Sequence, residues 1–245
     1  MTKFSDRIKK SAKTSSIILA NDYDPKIPNI ESKTLRNIKL LNNYLCGIKI
    51  NFHLLLQLDR NQISKINKNA HDYGLECIAD IKLNDIGNTN FITAENLWNM
   101  GFDAVIVNPI MGKKNLKNLV EISHKKNKGV ISLCHMSAPE AKLSYELEIK
   151  HNSKKQQLYQ LFLDWALTSH ADGIIVGATY PKIISYCKNS VRGKLSLFSP
   201  GIGTQGGSAS KAKKLGSDYL IVGRTILNST NPVETAKNLV TDSLI

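Results

Sequence analysis

Eight short apolar runs recur along this chain at nearly even spacing, and no other feature narrows its possible folds so far. They read SIILAND (16–22), CGIKIN (46–51), ECIADIK (76–82), DAVIVN (103–108), GVISLCH (129–135), DGIIVG (172–177), KLSLFS (194–199) and DYLIVG (218–223). Each is rich in Ile, Val and Leu with little polar alternation, as expected of strands covered on both faces. Between them lie amphipathic segments of helical length: ESKTLRNIKLLNNY, LLLQLDRNQISKINKNAHDY, NFITAENLWNM, NLKNLVEISHKKN, KKQQLYQLFLDWALTSH, PKIISYCKN, SASKAKKL and PVETAKNLV. Gly74, Gly101, Gly129 and Gly216 fall where a helix should stop, just ahead of the next strand. Such a position favours a residue able to enter the left-handed region.

Strand, helix, glycine, strand, repeated, describes parallel βαβ units. About eight such units in 245 residues predict a closed parallel (β/α)8 barrel, a TIM barrel, as a single domain over residues 1–245. An open doubly wound sheet is the competing arrangement. No internal sequence repeat links the units. In a barrel, catalytic groups sit at the C-terminal ends of the strands. The polar residues there are Asp22, Lys49, Asn51, Asp80, Lys82, Asn108, His135, Ser137, Thr179, Ser199, Gln205 and Arg224.

Asp80, Lys82 and Asp85 form a D-x-K-x-x-D run at the end of the third strand. Charged side chains are rarely buried unless paired. Residues two apart on a strand share a face, about 6.6 Å apart along it, so Asp80 and Lys82 are expected to project together into the barrel mouth, with Asp85 just beyond. Opposite charges so placed keep each other ionised. Asp22 and Lys49, at the ends of the first two strands, extend this into an alternating array. An inert ion-pair network would account for one such pair, but not readily for a D-x-K-x-x-D run with two more charges on neighbouring strand ends.

The second constellation is SPGIGTQGG (199–207) followed on the next strand by IVGRT (221–225). Gly201, Gly203, Gly206 and Gly207 let backbone N–H groups approach an anion, and a helix start at Ser208 adds a favourable dipole. Arg224 supplies a forked, permanent cation. In barrels of this kind, phosphate sites commonly follow the seventh and eighth strands, which is where these residues fall. The residues by themselves describe a barrel holding a phosphate on one side and an acid–lysine–acid array on the other. No His/Cys cluster has ligand spacing, so no zinc or haem site is expected, and there is neither a serine elbow nor a dinucleotide fingerprint.

The chain resembles the orotidine 5′-monophosphate decarboxylase family, in its short, single-domain, archaeal-type form. The resemblance runs over nearly the whole length and is carried by LANDY, GIKIN, ADIKLNDIGNTN, HMSAPEA, SPGIGTQGG and IVGRT. The D-x-K-x-x-D run is shared with a wider group that includes metal-dependent hexulose-phosphate synthases and ketogulonate-phosphate decarboxylases. Those relatives place a carboxylate at the end of the second strand, where this chain has Lys49. The resemblance implies a cofactor-free, metal-free homodimer with shared active sites that converts orotidine 5′-monophosphate (OMP) into UMP and carbon dioxide.

By the same resemblance, Asp22 and Lys49 hold the ribose hydroxyls, and Lys49 also pairs with Asp80. Asp80 lies against the substrate carboxylate, and Lys82 delivers the proton to C6. Asp85, Ile86 and Thr89 reach into the neighbouring subunit's site. Ser137 reads the pyrimidine edge, and Pro200, Gly201, Gly203, Gln205, Gly223 and Arg224 belong to the phosphate side. The segment SAPEAKLSYELEIKHN (137–152) is irregular and departs from the family loop, and NPIMG after the fourth strand matches only loosely.

Bulk properties agree with this outline. The chain is 42% hydrophobic, enough for a sizeable core. No run approaches the roughly 18 apolar residues that would span a bilayer. The basic, polar start MTKFSDRIKKSAKTSS lacks the apolar stretch of a secretory leader. Cys46, Cys77, Cys134 and Cys187 are widely spaced without a C-x-x-C pair, which fits buried free thiols. A soluble cytoplasmic protein without membrane contact is therefore expected. A formal charge of +13 can attract nucleic acid or an anionic small molecule. The lysines are scattered beside asparagines, with no Arg-rich tract or aromatic stripe, so no nucleic-acid partner is expected.

Overall fold

The computed structural model describes residues 2–24, 26–151 and 153–244. All eight apolar runs form strands: β1 (Ile17–Ala20), β2 (Gly47–Asn51), β3 (Glu76–Leu83), β4 (Ala104–Val107), β5 (Gly129–His135), β8 (Gly173–Val176), β9 (Ser196–Pro200) and β10 (Tyr219–Val222). They close into a barrel in the order β1-β10-β9-β8-β5-β4-β3-β2, parallel throughout. The closed ring leaves no edge to cap. Most strand residues are buried, because the barrel interior covers one face and helices the other. The open doubly wound alternative is excluded by the β1–β10 pairing.

The connecting helices are α2 (Ile30–Leu41), α3 (Phe52–Leu55), α4 (Arg60–Asp72), α5 (Gly87–Asn99), α6 (Lys113–Lys125), α7 (Leu158–Thr168), α8 (Pro181–Val191), α9 (Ala209–Lys214), α10 (Arg224–Leu227) and α11 (Pro232–Ser243). The segment 54–73 was expected as one helix but is two. Asp59 accepts the N–H of Gln62 at 2.9 Å while the Gln62 side chain accepts the N–H of Asp59. That reciprocal capping box starts α4 afresh.

The amino-terminal segment, read as merely polar and basic, forms α1 (Phe4–Ser11). Its Phe4 and Ile8 are buried, and Arg7 reaches Glu76 (3.0 Å) and Asp103 (3.1 Å) beneath the N-terminal ends of the strands. This plug corrects the expected role of Gly129. The left-handed turn after α6 is taken by Asn127 (φ 56°), whereas Gly129 is the first residue of β5. A Cβ at Gly129 would stand 2.2 Å from the Phe4 ring. The glycine is needed for close approach, not for its turn. Gly74, Gly101 and Gly216 do have positive φ, as expected.

The largest departure is the segment after β5. Residues 154–157, expected to open a helix, instead form β7 (Lys154–Gln157), paired antiparallel with β6 (Glu148–His151). The hairpin pairs EIKH with KKQQ, polar except for Ile149 and with little apolar surface to bury, so periodicity could not reveal it. Gln157 then caps α7.

Candidate active site

Barrel closure brings the strand ends together around one pocket. It is lined by Asp22, Lys49, Asn51, Asp80, Lys82, Ser137, Gln205 and Arg224, among others, over an apolar floor that includes Ile106, Leu133, Ile175 and Ile221. Eight of the twelve polar residues expected at the strand ends therefore converge, from segments spread over two hundred positions, whereas Asn108, His135, Thr179 and Ser199 do not line the pocket.

The charges form a continuous chain. Lys49 Nζ lies 3.2 Å from Asp22 Oδ1 and 2.9 Å from Asp80 Oδ2, and Lys82 Nζ lies 2.8 Å from Asp80 Oδ1. Lys49 and Asp80 are buried; Asp22 and Lys82 are about one-third exposed. Burial alone would lower the Lys49 ammonium, but Asp80 and then Asp22 outweigh it and hold the group above its ordinary value. Burial would likewise raise the Asp80 carboxyl, and Lys49 and Lys82 overcome it, keeping the acid below its ordinary value. Each buried charge is thus held ionised by its neighbours.

Lys82 reaches Asp80 by a route that the pleat does not supply. Pairing of β3 with β4 slips between Asp80 and Leu83, and Lys82 adopts φ 46°. It is the single non-glycine residue of the pocket lining in the left-handed region. A bulge that re-aims a side chain beside a site is a known use of such irregularity, and a left-handed lysine carries strain of order 1–3 kcal/mol that its surroundings must hold in place.

Asp85 stands apart. Its Oδ1 accepts the N–H of Ile86 at 2.6 Å, and it makes no ion pair among the described residues. Asp85, Ile86 and Thr89 are exposed around the start of α5 and do not line the pocket. Within one chain, Lys82 is thus oriented by one carboxylate and not by two.

From the ends of β9 and β10, Pro200, Gly201, Gln205, Gly223 and Arg224 line the same pocket, as do Ile202 and Thr204. Arg224 is exposed, and its guanidinium has no hydrogen-bond or ion-pair partner among the described residues. With Lys49 and Lys82 it gives three cations against the two acids Asp22 and Asp80, a surplus of one positive charge facing the pocket. The glycine loop corrects one expectation. Gly203 N–H donates to Gly207 O (2.8 Å), Gly206 N–H to Gly203 O (2.6 Å) and Gly207 N–H to Gly201 O (3.0 Å). These N–H groups are committed inside the loop. Their glycines serve tight folding: Gly201, Gly203 and Gly206 have φ between 73° and 95°, and a Cβ on Gly207 would meet Gly201 O at 2.5 Å. Gly203 itself does not line the pocket. Ser208 caps α9 through its side chain, accepting from Lys211 N–H.

Ser137 sits on a turn held from behind. Thr179 Oγ1 donates to its carbonyl (3.0 Å), Tyr180 Oη to that of Ala138 (2.8 Å), and Gly177 packs so closely that a Cβ would lie 2.5 Å from Ser137 Cα. A Cβ on Gly201 would contact both Ser137 and Gln205, so those two side chains converge over a glycine. Sequence reasoning assigned no role to Asn51, Met136, Ile202 or Thr204, all of which line the pocket. Asn51 was visible as a polar strand end; the others carried no signal, because their access depends on how the loops fold over the mouth.

One further group converges that spacing did not reveal. His71, Cys77 and Asp103 bring ligand atoms within 4.8 Å of one another. They lie at the N-terminal end of the barrel, where Asp103 already faces Arg7, Lys128 (3.4 Å) and His71 (2.7 Å). All four cysteines are buried and unbridged.

A closed parallel barrel whose strand ends gather an acid–lysine array, an arginine and a glycine loop around one pocket has the architecture of a TIM-barrel enzyme. Residues 15–239 match the orotidine 5′-phosphate decarboxylase / HUMPS family. The orotidine 5′-phosphate decarboxylase of Pyrococcus abyssi is 32% identical over 224 residues, covering 91% of this chain and 96% of the relative. The crystal structure of orotidine 5′-phosphate decarboxylase from Pyrococcus horikoshii is 31% identical with a TM-score of 0.76, covering 94% of this chain and 99% of that one. That of orotidine 5′-monophosphate decarboxylase from Methanocaldococcus jannaschii, complexed with the inhibitor BMP, is 27% identical with a TM-score of 0.78, covering 94% and 98%. The chain belongs to the orotidine 5′-phosphate decarboxylase / HUMPS family, and its relatives mark it as a decarboxylase, a carbon–carbon lyase.

Proposed function

We propose that the protein decarboxylates OMP to UMP without a cofactor, in pyrimidine biosynthesis. The observation that carries this reading is the Asp22–Lys49–Asp80–Lys82 chain, which shares one pocket with Arg224, a cation with no ion-pair partner among the described residues. Arg224, Gln205 and Gly223 take the phosphate, and Asp22 with Lys49 takes the ribose hydroxyls. Ser137 reads the pyrimidine edge. The substrate carboxylate then lies beside Asp80 and Lys82.

Breaking the bond to the carboxylate leaves its electron pair on C6 of the ring. The Lys82 ammonium, already oriented by Asp80, offers positive charge where that pair develops, without reorganisation during the reaction. The same ammonium passes a proton to C6, so carbon dioxide departs and UMP remains. Asp80 also repels the substrate carboxylate, and binding energy from the remote phosphate offsets that repulsion. Lys49 favours this chemistry over that of the metal-dependent sugar-phosphate lyases, because an ammonium replaces the carboxylate those relatives need at this strand end.

Asp85, Ile86 and Thr89 act on the site of a second copy of the chain, with Asp85 as the second carboxylate beside that copy's Lys82. Their exposure supports this assignment, as does the exposed apolar surface of Phe52, Leu56, Ile86 and Ile110. A light-scattering mass of twice the chain at enzyme concentrations is expected; a mass of one chain defeats the shared site. Unbridged cysteines fit a reducing compartment, the cytoplasm. Among the described residues no helix is long and apolar enough to cross a membrane.

The deciding assay is turnover of OMP in the presence of a chelator. Release of carbon dioxide with stoichiometric UMP is expected. Inactivity that is restored by magnesium, together with turnover of a hexulose phosphate, would replace this reading with the metal-dependent one.

A further inference from the structure

Thr225 follows the phosphate-side arginine on α10, and its hydroxyl is fully engaged by the glycine loop. Its Oγ1 donates to Ile202 O at 2.9 Å, accepts the N–H of Thr204 at 3.1 Å, and lies 3.0 Å from Thr204 Oγ1. A hydroxyl has one proton and two lone pairs, so these three contacts use its whole capacity. Gly203 lies flat against the same side chain: a Cβ there would stand 2.3 Å from Thr225 Oγ1 and 2.7 Å from its Cγ2. The loop is therefore held at three consecutive residues, 202, 203 and 204, by one threonine. The tip that carries Gln205 projects immediately beyond, exposed.

The loop's own hydrogen bonds fold it into a compact unit but do not orient that unit relative to Arg224. Thr225 does. We propose that Thr225 is a positioning residue that registers the glycine loop with Arg224, so that Gln205 and the guanidinium meet the phosphate as one site. It touches neither phosphate nor reacting carbon and acts through Thr204 and the adjoining Gln205. This inference rests on the decarboxylase reading for its substrate, while the clamp itself stands on the contacts above.

The test compares Thr225→Val, which keeps the shape and removes the hydroxyl, with Thr225→Ser, which keeps the hydroxyl. Each is assayed on OMP and on the phosphate-free nucleoside orotidine. An unmade hydrogen bond of this kind predicts a loss of about tenfold or more in kcat/KM for OMP in Thr225→Val. The orotidine value should stay within about twofold of wild type, and Thr225→Ser should recover most of the OMP activity. Equal losses on both substrates would mean general damage and overturn the proposal, as would wild-type activity of Thr225→Val on OMP.

If Thr225→Val does not fold, Gly203→Ala, which drives a methyl into the same contact, should show the same phosphate-selective loss; an unselective loss or none overturns the clamp. A wild type inactive on OMP defeats only the decarboxylase reading. Inorganic phosphate then serves as the probe: it should raise the melting temperature of wild type and Thr225→Ser but not of Thr225→Val, and equal shifts overturn the clamp.

Discussion

Lys82→Ala is expected to lower kcat on OMP by at least about four orders of magnitude while the fold survives. Two effects vanish together: the charge that stabilises the carbanion, of order a hundred- to a thousandfold for one preorganised group, and the proton donor, worth a similar or larger factor. The fold should tolerate the change because Lys82 is the more exposed partner and Asp80 keeps Lys49 at 2.9 Å. Removing a left-handed, non-glycine lysine from β3 costs no core contact, although alanine in that conformation retains the backbone strain. Single-turnover formation of UMP checks the loss of rate, and circular dichroism with the affinity for UMP checks that the fold and pocket survive. A folded variant with kcat within tenfold of wild type would remove Lys82 from the reaction.

Asp80→Asn should damage stability as well as activity, because this carboxylate neutralises two ammonium groups. Lys49 is buried, and without Asp80 it retains only the partly exposed Asp22. Breaking a buried pair by removing one partner costs about 3–5 kcal/mol. For a chain of this length that corresponds to a fall in melting temperature on the order of ten degrees. The pH dependence separates this cause from simple loss of packing. In wild type the lowered Asp80 adds stability that is present above the ordinary carboxyl value of about 3.9 and is lost as pH falls through its folded value. The raised Lys49 adds stability that is present below about 10.4 and is lost as pH rises through its folded value.

Wild type should therefore exceed the variant most between those limits, and the two should converge at both extremes. A difference that stays constant from strongly acid to strongly alkaline pH would show that packing, and not charge, was lost. Turnover should fall by at least about a hundredfold, since Lys82 loses its one orienting acid within the chain.

Much of the site could be read from the chain because barrel chemistry is confined to strand ends. Asp22, Lys49, Asp80, Lys82, Ser137, Gln205 and Arg224 each stand at or just after an apolar run, and all seven line the pocket. What stayed hidden depended on contacts between distant segments. The bulge at Lys82 arises from how β3 pairs with β4, and no local pattern announces it. The glycine loop looked like an anion cradle, yet three of its N–H groups fold it onto itself. Thr225 looked like one more residue after an arginine until Gly203 was seen against it. The β6–β7 hairpin escaped notice because a solvated hairpin of mostly polar residues has no hydrophobic face to set a period.

From the amino-acid order alone came the number of barrel strands, their parallel arrangement and the identity of the charges at their ends. Apolar runs covered on both faces and glycine-ended amphipathic helices leave few other ways to bury the same surface. The tertiary structure alone decided which charges touch, which backbone groups are left for a ligand, and that Asp85 lies outside its own chain's array. Those are matters of a few ångströms between residues far apart in sequence. They are settled by barrel closure, a strand slip and one threonine's packing, none of which leaves a periodic trace in the chain.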